Sequence, residues 1–261
     1  MRRFTGLLVG LTFAAFAAQG QPSTPESCAA PGHMLVMGGT ADRSKLSEEQ
    51  SKRLQQYGVE VGALIATYGA FYAVRSRPQA VIEGSWPAWK SVVISTWPRR
   101  ETGQTFWHSD KYSNHVKPLR KDAAEYRVAM FGPPPKHPMQ TGAWTAEGGP
   151  AAKNLACNLP VYLLVTADAT DQAKLGAYRK ALNDSGIMYS YGATDVLQGE
   201  PAEVLEGDWP KSFSAKVTRW PCKEAFEAFY ASADYNTKYK PLRAGAAEFT
   251  AVILAEEKPV K

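Results

Sequence analysis

Two glutamates and two arginines recur along the 261-residue chain at one fixed spacing. Glu83 and Arg120 lie in the first half, and Glu206 and Arg243 lie 123 residues later in the second half. A carboxylate and a guanidinium group form charge-assisted hydrogen bonds, either with each other or with a polar substrate. We keep two interpretations open. Glu206 accepts a proton while Arg243 holds an anionic group, or the charges pair with each other for the sake of the fold.

Aromatic side chains recur at the same spacing and supply candidate walls for a binding pocket. Trp86 and Trp209 each precede a proline in a predicted turn, where a tryptophan closes one end of a pocket or caps a core. Tyrosines in the predicted helices can donate a hydrogen bond to a bound carbonyl or quinone, or seal the helix against the sheet. These are Tyr112 and Tyr235, with Tyr230 and Tyr239.

Histidine distinguishes the two halves. His108 and His115 fall in one predicted helix, and the second half has Ala231 and Lys238 at the matching positions. Two helical turns separate the histidines by about 10 Å, too far to share one metal ion, so we predict no metal site. His108 is a candidate general base or haem ligand, and the alternative is a surface histidine on an amphipathic helix.

The candidate residues belong to a module that occurs twice. Residues 81–125 and 204–248 align without a gap, and their tryptophans, prolines and glycines match, which indicates a duplication. Each copy predicts the order strand, helix, strand, strand, helix, strand. The fold class is therefore α+β, with two tandem ferredoxin-like βαββαβ modules at 33–131 and 160–255. A Pro/Gly-rich linker, 132–159, joins them.

Each predicted four-stranded sheet carries both helices on one face, so the two modules stack their bare faces together. Alternation along the third strand of each module assigns side chains to the two faces. One set is Val92, Ile94 and Thr96 with Ala215, Val217 and Arg219. The other set mixes polar and aromatic residues, which suits the wall of a shared cavity between the sheets. That set is Val93, Ser95 and Trp97 with Lys216, Thr218 and Trp220.

The N-terminal segment, residues 1–20, has the layout of a secretory signal peptide. Arg2 and Arg3 precede an apolar run that ends in small residues, and the run is shorter than the roughly 20 residues of a transmembrane helix. We expect cleavage near Gly20, a periplasmic or secreted protein, and no membrane span afterwards. The net charge of +5 is spread along the chain without a Lys/Arg run, so we expect no nucleic-acid partner.

Three cysteines in an exported protein can form a disulfide. Cys28 and Cys157 each come shortly before the first predicted strand of a module, and these two lead-ins can meet in a pseudo-symmetric pair. We therefore predict a disulfide between Cys28 and Cys157, with Cys222 free. Three unpaired thiols are the alternative.

The repeated motifs resemble a family of bacterial domains, DUF1330, in the dimeric α/β-barrel superfamily. The resemblance is carried by V-[IL]-E-G-x-W-P, a strand ending in W-P, a helix with F-[WY]-x-S-x-x-Y, and P-L-R. Typical members are single modules that pair, so the resemblance implies that this chain pairs its own two modules as a monomeric pseudo-dimer. The second copy is the closer match, because the first has Ser85 where the second has Asp208.

The superfamily includes cofactor-free monooxygenases, isomerases, haem-degrading enzymes and binding proteins, so the resemblance implies a fold and no particular reaction. We expect a small apolar or aromatic molecule to bind between the two sheets, without a cofactor. One alternative is a cofactor-independent monooxygenase or isomerase with His108 or Glu206 as the proton acceptor. Another is a structural envelope protein whose inter-sheet space is fully packed. Haem binding through His108 is a further alternative.

Overall fold

The computed structural model describes residues 31–134, 155 and 157–256. The predicted signal peptide and Cys28 lie outside these residues. Both modules follow the predicted order of elements, except that two short strands stand where one second strand was predicted and that the second module has an additional short helix. The first module comprises β1 (Gly32–Gly39), α1 (Glu48–Thr67), β2 (Phe71–Ser76), β3 (Ala80–Glu83), β4 (Ser91–Trp97), α2 (Arg100–His108) and β5 (Glu125–Phe131). The second comprises β6 (Val161–Ala169), α3 (Gln172–Ser185), α4 (Ile187–Ser190), β7 (Thr194–Gly199), β8 (Glu203–Glu206), β9 (Phe213–Trp220), α5 (Lys223–Ala231) and β10 (Ala247–Ala255).

Local sequence explains how the first helix of each module begins and ends. The Ser47 hydroxyl accepts a hydrogen bond from the Gln50 N–H, and the Gln50 side chain accepts one from the Ser47 N–H, so a capping box opens α1. In the second module, Gly186 has a φ of 65° and ends α3 before the short α4. The second module therefore has a broken helix where the first has a continuous one.

A wide helical turn follows the second helix of each module. The segments Lys111–Val116 and Tyr235–Tyr239 are π-helical, and each leads into a 3-10 turn that ends at Arg120 or Arg243. The sequence predicted one regular helix through each region. The wide turn carries Tyr112 and Tyr235 inward, and both tyrosines are buried. Irregular helical turns of this type are common at functional sites.

The two sheets exchange a strand. Their orders are β2-β4-β1-β5-β8 and β3-β10-β6-β9-β7, so each sheet has five strands, one of them from the other module. β8 pairs antiparallel with β5, and β3 pairs antiparallel with β10. The sequence predicted four strands from one module in each sheet. The exchange covers β5 and β10, which would otherwise leave an open sheet edge.

The space between the sheets is filled by apolar side chains from both modules. The prediction of a ligand cavity lined by Trp97, Trp220 and Lys216 in this space is wrong, because these side chains face the helices of their own modules. The other set of alternating residues faces inward instead. The inter-sheet layer comprises Leu35, Met37, Ala73, Val74, Val92, Ile94, Ala129, Phe131, Tyr162, Leu164, Leu197, Phe213, Ala215, Val217, Val252 and Leu254.

A separate core lies between the helices and the sheet of each module. Trp97, Phe106 and Tyr112 belong to this core in the first module, and Trp220 and Phe229 belong to it in the second. Within the described ranges, no helix combines the length and the apolarity needed to cross a membrane.

Candidate functional site

The repeated glutamates and arginines form two ion pairs between the modules. β8 carries Glu206 into the first module, where Arg120 donates two hydrogen bonds of 2.7 Å to its carboxylate. Lys117 lies 2.9 Å from the same carboxylate. In the mirror arrangement, Arg243 of the second module donates to Glu83 of the first over 2.5 Å. Of the two interpretations drawn from the sequence, the structure shows the charges paired.

The ion pair makes Glu206 a poor candidate for the proton acceptor. Burial opposes ionisation of the Glu206 carboxyl, but its contacts with Arg120 and Lys117 outweigh burial and hold the pKa below its usual value. A carboxylate with a lowered pKa is a weak base near neutral pH. Arg243 is likewise paired with Glu83, and its side chain is 9% exposed.

Phenol groups surround the buried Arg120 guanidinium. Its Cζ atom lies 4.7 Å from the ring centre of Tyr126 and 5.6 Å from that of Tyr57. Tyr57 also lies beside Tyr112. Burial raises the pKa of all three phenols, so they remain protonated and can donate hydrogen bonds. The Nε atom of Arg120 is buried without a hydrogen-bond partner in the described part of the chain.

A cavity of about 330 Å³ lies above this cluster, between the helices and the sheet of the first module. Its walls are mainly apolar and aromatic, which is typical of sites for small organic molecules. Three predicted site residues line it, namely Trp97, Tyr112 and Arg120. Other lining residues are Met34, Val36, Thr40, Leu54, Tyr57, Gly58, Val61, Tyr72, Val93, Phe106, Trp107, Tyr126 and Val128.

The equivalent cavity of the second module measures about 80 Å³. It is lined by five of the predicted site residues: Glu83, Lys216, Tyr230, Tyr235 and Arg243. Tyr178 lies against Tyr235 there, with their hydroxyl oxygens 3.5 Å apart, as Tyr57 pairs with Tyr112 in the first module. The two tyrosine pairs align the first helices of the modules.

This alignment identifies the residues that fill the second cavity. The residue after Tyr57 is Gly58, and the residue after Tyr178 is Arg179, whose guanidinium donates to the hydroxyl of Ser214. A Cβ atom at Gly58 would meet nothing within 4 Å, so this position opens onto free space. The first cavity is therefore larger partly because α1 has a glycine where α3 has an arginine.

β4 and β9 contribute a second difference between the two cavities. Lys216 stands 123 residues after Val93 and lies in the second cavity. Its ammonium group lies 3.0 Å from Asp195 and donates to Gln198 over 2.7 Å. Each hydrogen-bond partner also takes up space, so a polar network occupies volume that is open beside Val93.

The remaining predicted site residues lie away from both cavities. Trp86 and Trp209 pack against the inter-sheet layer, and their indole N–H groups donate to the carbonyl oxygens of Lys90 and Glu206. Trp220 is fully buried in the second module's core. His108 has a side chain 67% exposed and lies 3.7 Å from Glu203, so it is the surface histidine that we considered as the alternative.

The predicted disulfide partner of Cys157 is wrong. Cys157 is bonded to Cys222, with their Cα atoms 5.0 Å apart. The reason lies in the sheet: β6 and β9 are antiparallel neighbours, with Val161 opposite Trp220, so the residues before β6 and after β9 lie at the same end. The predicted strand order already contained this signal, because the first and third strands of such a module are neighbours.

Within the described residues, no group of three His, Cys, Asp or Glu side chains could hold a metal ion. The prediction of no metal site covers the whole chain and stays a prediction.

Among the lining residues of the first cavity that were not predicted from the sequence are Tyr57, Gly58, Trp107 and Tyr126. The pairing of Tyr57 with Tyr178 was concealed because the second module has two more residues between this tyrosine and the Tyr-Gly-Ala sequence that follows. Allowing for that insertion would have aligned the two helices.

Comparison with known proteins agrees with the fold. The family described as "Domain of unknown function (DUF1330)" matches residues 44–132 and 160–256. No curated protein matches the chain significantly in sequence.

Two solved structures share the architecture. A presumed monooxygenase from Fusobacterium nucleatum has a TM-score of 0.52 at 8% identity, over 88% of this chain and 94% of that one. A mutant chlorite dismutase from Candidatus Nitrospira defluvii has a TM-score of 0.50 at 10% identity, over 88% of this chain and 92% of that one. At these identities the similarity shows the fold alone. The chain belongs to the DUF1330 family and carries two copies of its domain, which together form an intramolecular dimeric α/β barrel.

Proposed function

We propose that the protein binds one small, largely aromatic or apolar molecule in the cavity of its first module. The observation that carries this proposal is the difference between the two equivalent cavities, about 330 Å³ in the first module and about 80 Å³ in the second. A packed core tends to leave no space larger than a water molecule. The larger space lies between helices and sheet, and not between the two sheets as we expected from the sequence.

The chemistry of the cavity supports a ligand that is mostly apolar and has an oxygen acceptor at one end. Trp97, Phe106 and Trp107 provide aromatic surface, and burial of such surface drives binding. At the floor, the Tyr57–Tyr112 pair offers a phenol donor, and the unpartnered Nε–H of Arg120 is a further donor. A ligand carbonyl or hydroxyl oxygen would satisfy this donor, and leaving it unsatisfied costs about 1–3 kcal/mol.

The catalytic alternatives have less support. His108 is exposed and does not line the cavity, and Glu206 is held by two cations. Neither residue is placed to accept a proton from a molecule in the cavity. The structural envelope alternative agrees with the packed inter-sheet layer, but it gives no role to the open space in the first module.

We also propose that the protein works outside the cytoplasm. The N-terminal segment has the layout of an export signal. The bond between Cys157 and Cys222 supports the same conclusion, because disulfides persist in oxidising compartments.

Binding can be tested on the chain that begins at Gln21. Native mass spectrometry beside the denatured mass should show one non-covalent ligand per chain, either retained from expression or added from a panel of mono- and bicyclic aromatic compounds. A bound compound should raise the melting temperature and change the fluorescence of Trp97 and Trp107. A bare chain whose melting temperature no compound raises would contradict the proposal.

A further inference from the structure

Charged residues around the cavity mouth narrow the class of ligand. This inference rests on the proposed function and adds the charge of the molecule that is bound. We propose that the ligand is an aromatic anion whose ring system lies in the first cavity. Its carboxylate, or another oxyanion group, is held by Arg43 and Arg77 at the mouth, which Arg75 also lines.

The three arginines line the cavity and are exposed to solvent, so they lie at its entrance. Arg43 comes from the connection between β1 and α1, whereas Arg75 and Arg77 lie at the end of β2 and just beyond it. The guanidinium of Arg75 lies 5.1 Å above the ring of Tyr72, another lining residue. Among the described residues, no aspartate or glutamate lines this cavity. The entrance therefore attracts anions.

The floor of the cavity is suited to a neutral group. Both terminal nitrogens of Arg120 donate to Glu206, so the charge of this guanidinium is already balanced. The Arg120 Nε–H is a single donor on a charge-balanced guanidinium, and each protonated phenol is a single uncharged donor. A carboxylate binds best to a guanidinium fork or to several charged donors, and these are found at the mouth. The ligand's charged end is accordingly placed outward.

The second module provides an internal comparison. Gln198 and Glu200 occupy the positions of Arg75 and Arg77, each 123 residues later. The connection that carries Arg43 has eight residues, and the equivalent connection before α3 has two. The repeated fold thus forms without the arginines. They are found at the larger cavity of the first module and not at the smaller cavity of the second. This association is what we expect if the arginines serve a ligand.

The test compares two probes of equal shape, 2-naphthoate and its neutral amide, on the chain from Gln21. We expect 2-naphthoate to bind about tenfold more tightly at low ionic strength, since an anion at the mouth gains charge-assisted hydrogen bonds. Raising the salt concentration should reduce this preference and leave the affinity of the amide unchanged. Calorimetry or tryptophan fluorescence gives both dissociation constants.

Two charge-reversal variants locate the effect. Arg77→Glu copies the residue type of the second module and should abolish the preference for 2-naphthoate over its amide. Arg100→Glu is the matched control, because Arg100 is exposed on α2 and does not line the cavity. It should keep the wild-type preference.

The outcomes separate this inference from the proposed function. Equal affinity for the two probes in the wild type, or a preference that survives Arg77→Glu, would overturn the inference and leave binding in the cavity intact. Binding of neither probe would overturn the inference, and the proposed function would fail with it if the wider aromatic panel also gave no binding.

Discussion

Arg120 of the first module and Glu206 of the second form a bidentate ion pair, in which both N···O distances are 2.7 Å. Glu83 and Arg243 repeat the relationship in the opposite direction. Both arginine side chains are less than a tenth exposed, at 5% and 9%. Each module therefore depends on the other for the counter-charge of its buried arginine, and the strand exchange delivers that charge.

Glu206→Gln should destabilise the protein by about 3 kcal/mol, because it leaves the buried Arg120 without a counter-ion. Urea unfolding monitored by circular dichroism measures the change. Asp184→Asn is a suitable control, since it disrupts the Lys180–Asp184 pair, whose side chains are 76% and 62% exposed. That change should alter stability by no more than about 0.5 kcal/mol. Equal midpoints for Glu206→Gln and Asp184→Asn would show that the inter-module pair contributes little.

The contribution of Glu206 should disappear in acid. Its folded-state pKa is lowered, so its stabilising effect is fully present above the pKa of an unfolded glutamate, about 4.3. The effect is lost as the pH falls through the lower folded-state value. The free energy of unfolding should therefore differ between wild type and Glu206→Gln at pH 7, and the difference should shrink progressively as the pH falls below about 4.3. A difference that stays constant from pH 7 to pH 3 is not compatible with this pair.

The disulfide should stabilise the second module. Its two cysteines are 65 residues apart in sequence, and removal of a cross-link over a loop of this size costs about 2–4 kcal/mol. We expect Cys222→Ala to lower stability by this amount and a thiol reductant to have no further effect on the variant. A non-reducing peptide map should link Cys157 to Cys222. A Cys28–Cys157 peptide would instead restore the pairing predicted from the sequence.

The duplication and the order of elements could be predicted from sequence because both depend on local patterns. Strand alternation and matched tryptophans located β4 and β9. The exchange of β3 and β8 could not be predicted in this way. A short strand has the same local pattern whether it pairs within its own module or with the other one.

The orientation of the third strands shows how a reasonable pattern argument failed. Polar residues beside Trp97 and Trp220 indicated a wet cavity wall. In the structure, Ser95 accepts a hydrogen bond from the Trp97 indole over 2.9 Å, and Thr218 accepts one from Trp220 over 2.8 Å. These polar groups satisfy buried indole donors within a helix-facing core, as buried tryptophans require. The set of polar and aromatic residues therefore lies on the helix-facing side of the sheet, where Val93, Ser95 and Trp97 line the first cavity, and not in the space between the sheets.

The candidate site was predicted in part. Trp97, Tyr112 and Arg120 were named from the repeat, and all three line the first cavity. The cavity itself depends on the lack of a side chain at Gly58. A glycine in a helix does not indicate a cavity until the elements that face it are known. Comparison of the two helices in register would have shown the contrast with Arg179, but it required the insertion to be located.

The most direct test of binding in the first module is to close its cavity with one side chain. Gly58→Arg introduces the residue type that occupies the second cavity, and Gly176→Arg places the same change on the exposed part of α3, where a Cβ atom also meets nothing within 4 Å. Both changes replace a helical glycine with a better helix former, worth up to about 1 kcal/mol each, so neither should unfold the protein. The measurement is the dissociation constant of the tightest-binding compound from the aromatic panel. We predict that Gly58→Arg abolishes binding while Gly176→Arg binds like the wild type; undiminished binding by a folded Gly58→Arg protein would contradict the account.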